Sequence, residues 1–311
     1  MVKNQGNERN EGVLVIVAVP FACLGCSLEF TLNGYTKEAE KIMPELPEVE
    51  TIARGLQRQV AGDVIESVWI GAKPEPLKSS AREIARTLDG ARIAQVRRVG
   101  KHMVFDLERK NGNAQWIVHL GMTGRMLVID PGAEIAKHTH LIATLRSGRE
   151  LRFVDPRRFG RLEVRRADQF QAPGQEPLDV GFEIFARLFR GRKTPIKSAL
   201  LNQKLLAGIG NIYADESLFR AGIRPRRRAA SLTRAELQRL YPAIQQVLNE
   251  AIASGGSSVS DYVNAEGTEG LFQIQHRAYG REGEPCLTCG SPIKRTVIAG
   301  RSSHWCPNCQ K

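Results

Sequence analysis

Four of the six cysteines stand near the C-terminus in two close pairs, Cys286-x-x-Cys289 and Cys306-x-x-Cys309, with 16 residues between the pairs. Two tight turns that each present two thiolates suit a tetrahedral four-sulfur zinc site. A pair of disulfides is the other use of such a set, and a reducing cytosol disfavours it. A site of this kind is closed, so one structural Zn2+ would fold the segment without doing chemistry. Between the pairs the sequence predicts a hairpin carrying Lys294, Arg295 and Arg301. A metal-pinned hairpin tipped with arginine is suited to pushing a cation into a nucleic-acid groove.

The charge of the whole chain points the same way. Its 311 residues hold 45 Lys or Arg against 33 Asp or Glu, a formal net charge of +12, and the sequence pI is about 9.7. Such charge favours phosphate backbones or anionic membranes, and alone it does not choose between them. Charged residues make up 25% and the broad apolar class 42%, which excludes a disordered or fibrous chain. No apolar run reaches the ~18 residues that cross a bilayer, so a spanning helix is excluded. At roughly 150 residues per domain the length predicts two domains, each able to bury a core.

Residues 1–42 read apart from the rest. They carry Lys3, Arg9, Lys37 and Lys41 against Glu8, Glu11, Glu29, Glu38 and Glu40, net −1, which leaves +13 for residues 43–311. The apolar run Val13 to Leu24 has signal-peptide length, but the mixed charges before it make a poor n-region. The expectation is an extraneous extension ahead of a true start at Met43. Within Pro47 to Val60, Val49, Ile52, Leu56 and Val60 recur at helical spacing, and Pro47 suits a first turn. Val64 to Val164 changes to short alternating runs: Ile93 to Val99, Met103 to Leu107, Trp116 to Leu120, Leu141 to Leu145 and Leu151 to Val154. These predict an antiparallel sandwich or barrel. Pro173, Gly174, Pro177 and Gly181 mark a linker over 168–184. Helical patterns follow at Ile196 to Leu206, Ile212 to Ala221 and Thr233 to Ala253. The predicted fold class is α+β multidomain. It comprises a β-sandwich domain with flanking helices over 43–167, a helical domain over 185–276 and a metal knuckle over 277–311.

Five motifs run through that order: PELPEVET (Pro44 to Thr51), HLGMTG (His119 to Gly124), DPRRFG (Asp155 to Gly160), GIGNIYADE (Gly208 to Glu216) and the four cysteines. Together they resemble the formamidopyrimidine-DNA glycosylase family, bacterial repair enzymes for oxidised purines, over essentially all of 43–311 and none of 1–42. The resemblance implies a cytoplasmic, monomeric glycosylase with abasic-site lyase activity, acting on formamidopyrimidines and 8-oxoguanine in double-stranded DNA. It also implies a helix–two-turn–helix in the helical domain and a four-Cys zinc finger. The related endonuclease VIII type takes oxidised pyrimidines and resembles a Pro-Glu-Gly-Pro-Glu start; Leu46 and the DPRRFG string favour the purine enzyme. A lesion-binding protein that does not cut is the other alternative, and it follows if Pro44 never becomes N-terminal.

Removing a damaged base needs a nucleophile at the anomeric carbon and an acid that helps the sugar ring open. The resemblance assigns Pro44 as the Schiff-base nucleophile and Glu45 as the proton donor. A free α-amine has a pKa of ~8, so a useful fraction is neutral near pH 7. A secondary amine gives a cationic iminium, which acts as an electron sink for β,δ-elimination. Without the resemblance, Glu45 reads as a solvated first-turn carboxylate. Glu48 is expected to orient the amine. Lys101 matches the lysine that donates a proton in β-elimination, although as a bare feature it is an edge-of-strand lysine. Arg301 matches the finger arginine that contacts phosphate and assists δ-elimination.

Extruding a base leaves a gap to be filled. Met122, Arg157 and Phe159 match the family's wedge, and the glycines around them suit exposed tips. Phosphate contacts are matched by His138, Arg157, Arg192 and Lys197. His119 reads equally as a backbone contact or as a structural histidine. Gly208 to Asn211 is a glycine-rich turn into a helix starting near Ile212, with Asn211 as N-cap and phosphate drawn to the exposed amides. Residues 256–272 match a mobile loop over the extruded base, and the run Arg224 to Arg228 reads as mainly solvated.

Overall fold

The structure, a computed structural model, describes residues 43–257 and 270–311. The extension read over 1–42 and most of the loop read over 256–272 lie outside the described residues. α1 (Leu46–Val60) forms where the apolar spacing predicts it, and buries Val49, Ile52, Leu56 and Val60. Its first turn closes when the Glu48 carboxylate accepts from the Glu45 amide at 2.9 Å, one arm of a capping box.

Two antiparallel sheets follow. In chain order the elements are β1 (Ile65–Ile70), α2 (Ala81–Leu88), β2 (Arg92–Val99), β3 (His102–Glu108), β4 (Ala114–His119), β5 (Arg125–Ile129), β6 (Thr139–Leu145), β7 (Glu150–Val154) and β8 (Arg161–Arg166). The sheet orders are β1-β6-β7-β5 and β2-β3-β4-β8. One core fills the space between them, with Phe105, Trp116, Phe153 and the apolar stripe of α1. The sandwich is as expected, but α2 interrupts a stretch read as strands throughout. Its signal is local: Ser80 accepts from the Glu83 amide at 3.2 Å, an N-cap that satisfies a helix-end donor.

The second core belongs to α3 (Phe182–Phe189), α4 (Ile196–Leu200), α5 (Asn211–Ala221) and α6 (Arg234–Ala253). α3 starts inside the stretch read as a linker over 168–184. α4 stops at Leu200 because the chain turns at Asn202, whose carbonyl accepts from the Leu205 and Leu206 amides at 2.8 and 3.1 Å. Leu46 sits in this second core although α1 serves the first, so the start of α1 is pinned between the two. The last segment pairs β9 (Lys294–Ile298) with β10 (Arg301–Trp305). Ala299 and Gly300 between them both have positive φ, 48° and 75°, the two-residue turn that suits twisted hairpins. No helix among the described residues is long and apolar enough to cross a membrane.

Candidate active site

Glu45 is buried, 2% exposed, against the N-terminal end of α5. Its Oε1 accepts from the Ile212 amide at 3.3 Å, and its Oε2 has no hydrogen-bond partner. The fit is close: a Cβ on Gly210 would collide with the Glu45 carboxyl group. Burial raises the Glu45 carboxyl to about 7; the Lys101 ammonium opposes that rise and Glu48 adds to it. Glu48 is buried as well, and accepts from the Ser257 amide at 2.7 Å and from the Tyr213 hydroxyl. Burial pushes its carboxyl up and these donors pull it down. Burial also lowers the Lys101 ammonium, with Arg301 acting in the same direction and Glu45 and Glu48 resisting. Glu45, Glu48 and Lys101 therefore share one site, with Pro44 next to Glu45 in the chain and Arg301 within electrostatic reach.

The turn that carries Lys101 is held from both sides. Arg98 donates to Glu50 on α1 at 2.8 Å and to Glu176 at 2.7 Å. Glu176 also accepts from the Gly100 amide at 2.5 Å. Neither Glu50 nor Glu176 stands out in the sequence, because the pairing joins residues 48 and 78 positions apart.

Met122 lies in the β4–β5 turn, and Arg157 and Phe159 in the β7–β8 turn. Phe159 is 48% exposed, with the Arg157 guanidinium 4.8 Å from its ring centre. Asp155 clasps the two turns. Its carboxylate accepts from the Thr123 hydroxyl at 2.5 Å and the Gly160 amide at 2.7 Å. Gly121 has φ +65°, and a Cβ there would meet the Gly160 amide nitrogen at 2.6 Å, so the turns touch backbone to backbone. Asp155 has no role in the sequence reading; its place in the DPRRFG string is the available signal. His119 heads the first turn, and its Nδ1 accepts from the Gly121 amide at 3.1 Å. Burial, reinforced by His102, Lys101 and Arg161, holds it down to about 4, so it is neutral near pH 7. His138 is half-buried just before β6, and Arg192 is exposed with its Nε donating to the Leu188 carbonyl at 2.6 Å.

Two readings in the helical domain need correction. Lys197 is fully buried, so no phosphate reaches it. Its ammonium pairs with Asp215 at 2.6 Å and donates to the Ser302 carbonyl at 2.5 Å. Asn211 is not the N-cap of α5; Gly210 occupies that position. The Asn211 amide instead donates to the Ser302 hydroxyl at 3.1 Å. The run Arg224 to Arg228 is mainly solvated, as its sequence predicts: Arg224, Arg226 and Arg228 are exposed and Arg227 is half-buried, although three of them also find partners. Arg224 donates to the Gln310 carbonyl and covers the Trp305 ring, Arg226 donates to Thr296, and Arg227 pairs with Glu236. Asp215 also accepts from Ser303 and from the His304 amide at 2.8 Å, and Glu216 accepts from the amides of Arg277, Ala278 and Tyr279. Adjacent acids of α5 thus grip the hairpin and the segment leading to it, and Arg301 is exposed at the hairpin's turn.

The four cysteine sulfurs lie within 4.8 Å of one another, with Cys286 and Cys309 3.9 Å apart and Cys289 and Cys306 3.5 Å apart. Tetrahedral Zn2+ at about 2.3 Å from each sulfur needs separations near ~3.8 Å. The cluster fits one structural zinc ion with no open coordination position.

Comparison with known proteins gives the same three parts. The formamidopyrimidine-DNA glycosylase N-terminal domain matches residues 43–162, the H2TH domain of the same enzyme matches 173–263, and a zinc finger found in FPG and IleRS matches 283–311. The formamidopyrimidine-DNA glycosylase of Solibacter usitatus is 46% identical over 277 residues, covering 86% of this chain and all of the relative. The crystal structure of the MutM (FPG) protein of Thermus thermophilus superposes with a TM-score of 0.75 at 44% identity, over 86% of this chain and 98% of that one. A Lactococcus lactis FPG mutant, solved in complex with a Fapy-dG containing DNA, gives a TM-score of 0.79 at 33% identity over 86% of this chain and all of that one. With this architecture, this site and these relatives, the chain belongs to the formamidopyrimidine-DNA glycosylase family.

Proposed function

We propose that this chain is a monomeric DNA glycosylase and abasic-site lyase that excises formamidopyrimidines and 8-oxoguanine from double-stranded DNA. The observation that carries the reading is Glu45: a buried carboxyl next to Pro44, raised to about 7, with one oxygen that no protein group satisfies. Such a group keeps a proton to give at neutral pH. In this reading the neutral Pro44 nitrogen bonds to C1′ of the sugar as the glycosidic C1′–N bond breaks, and the base, which leaves with that electron pair, takes up the proton that the amine gives up. Glu45 gives its proton to the ring oxygen as the C1′–O4′ bond opens, leaving an iminium. Lys101, lowered by burial, serves proton transfer in the β-elimination. Arg301 binds the phosphate that leaves in the δ-elimination. Met122, Arg157 and Phe159 occupy the gap in the stack, while His119, His138, Arg192 and Asn211 line the path of the backbone.

The nucleophile sets a condition on the chain. Inside the 311-residue sequence the Pro44 nitrogen is a tertiary amide, its lone pair delocalised into the Met43 carbonyl. It cannot attack a sugar in that form. Translation from Met43 followed by methionine removal would leave the free secondary amine. Borohydride trapping tests this, because only an iminium is reduced to a stable protein–DNA adduct. Protein beginning at Pro44 should trap an 8-oxoguanine duplex, and the 311-residue chain should bind it without trapping. An adduct with residues 1–43 still attached rejects Pro44 as nucleophile. Preference for a thymine glycol duplex over 8-oxoguanine would move the substrate to oxidised pyrimidines.

A further inference from the structure

The sandwich carries a second arginine-rich surface at its end remote from Lys101. Two concavities of about 370 and 580 Å³ share Glu83, Thr87 and Arg109, and so form one open groove. Its walls are α2, the β3–β4 turn and the end of β8. Five arginines line it (Arg82, Arg86, Arg109, Arg165 and Arg166) against one carboxylate, Glu83. Arg165 is occupied by Glu163 at 2.7 Å, and Arg109 is aimed by its bond to the Arg86 carbonyl at 2.7 Å. Arg82, Arg86 and Arg166 are exposed and make no ion pair among the described residues.

Like charges four apart on one helix weaken it, and Arg82 and Arg86 are so placed on α2 beside further arginines. Arg86 suits the last turn of α2, but Arg82 in the first turn opposes the helix dipole, and a bound polyanion would relieve the cluster of like charge. Asn111, Asn113 and Thr87 add neutral groups of the kind that meet phosphate and sugar oxygens. Lys101 precedes one end of β3 and Arg109 follows the other, which separates the groove from Lys101 by roughly 25 Å. At about 3.4 Å per base pair, a 12-base-pair duplex centred in the cleft extends only about 20 Å to either side.

We infer that this groove is a second phosphate-backbone site, which holds a DNA segment other than the one in the catalytic cleft. The inference rests on the reading of the cleft as a DNA-glycosylase site. An enzyme held at both places can pass from one segment to another without fully dissociating.

The test fills the cleft first. The 311-residue chain is saturated with an unlabelled 12-base-pair duplex bearing a tetrahydrofuran abasic analogue, and a fluorescent lesion-free 20-base-pair duplex is then titrated in. The wild type should bind this second duplex, with a log–log salt slope of about −2 to −4 for two to four neutralised phosphates. Arg86→Glu/Arg166→Glu should weaken that binding at least tenfold and leave affinity for the analogue duplex within twofold. The neutral pair Arg82→Ser/Arg166→Ser should give a smaller loss in the same direction, and covers the case of a reversal variant that does not fold. Equal binding of the second duplex by wild type and both variants overturns the groove. So does a variant defect confined to long single duplexes, which would mean that the groove holds the flank of the cleft-bound DNA. Failure of the glycosylase reading shows separately, as equal affinity for analogue and plain duplexes.

Discussion

The Glu45 cluster and the Lys197–Asp215 pair are both buried and both abut α5, yet their oxygens are accounted for differently. Asp215 receives donors on both oxygens, from Lys197 and Ser303 on one and from the His304 amide on the other. Glu45 is met only by the neutral Ile212 and Tyr213 amides, and its Oε2 has no hydrogen-bond partner. A buried carboxylate that is fully paired is a structural joint, and removing its partner leaves a stranded charge. A buried carboxyl left under-satisfied retains its proton, which costs stability and supplies chemistry. Burial alone does not separate these outcomes. The count of donors does.

The sharpest way to break this comparison is Glu45→Gln. Loss of the acid should lower base excision on the order of 10³-fold. Stability should move the other way. The folded value of about 7 lies above the free value of 4.5, so ionising Glu45 costs the native state progressively as pH rises from 4.5 to 7. Glutamine carries no such cost. The variant should gain about 3 kcal/mol on the wild type between pH 4.5 and pH 8, read by denaturant unfolding at each pH. A constant difference across that range removes the argument for a strained proton donor.

Lys197→Met should show the opposite signature, a loss of stability of about 3 kcal/mol from the unpaired Asp215. Excision at saturating DNA should fall by less than tenfold, since Lys197 touches none of the reacting groups. If this variant unfolds no more easily than the wild type, the joint between helices and hairpin is not held as described.

Cys306→Ser tests the same joint from the metal side. It should release zinc, measured by a chromogenic chelator, and weaken duplex binding roughly tenfold as Arg301 loses its support. Unchanged affinity in zinc-free protein would detach the finger from DNA binding.

The smallest effects concern the wedge. Phe159→Ala should reduce discrimination between lesion and plain duplex by several-fold and leave the salt slope unchanged, because an apolar ring neutralises no phosphate. Arg157→Ala should reduce discrimination and also flatten the slope by about 1. A flattened slope in the Phe159 variant contradicts a space-filling role.

Much of this was legible because it is local. The Cys-x-x-Cys spacing, the apolar stripe of α1 and the alternating runs of the strands lie within a few residues of chain, where covalent geometry fixes which side chains share a face. The order of sandwich, helical domain and finger follows from those periods. α2 carries an equally local signal, the Ser80 cap and Glu83, inside a stretch whose alternation reads as strand. Position in a motif draws attention to Pro44 and Glu45, and the family resemblance to Lys101 and Arg301, before any contact is known.

Other assignments depended on which distant segments meet. Lys197 sits in a basic run and reads as a phosphate contact, but Ser302, 105 residues away, closes over it and turns it into a buried joint. Asn211 looks like a cap until the hairpin offers its side chain a partner. Arg224 stays exposed as its sequence predicts, yet it finds a partner in the Gln310 carbonyl 86 residues on. Glu45 owes its raised pKa to burial against α5, where it meets the Ile212 amide 167 residues on. Residue type and spacing therefore determined which chemistry this chain can attempt. The tertiary structure decided which charges keep water and which lose it, because desolvation depends on what packs against a group and not on its neighbours in sequence.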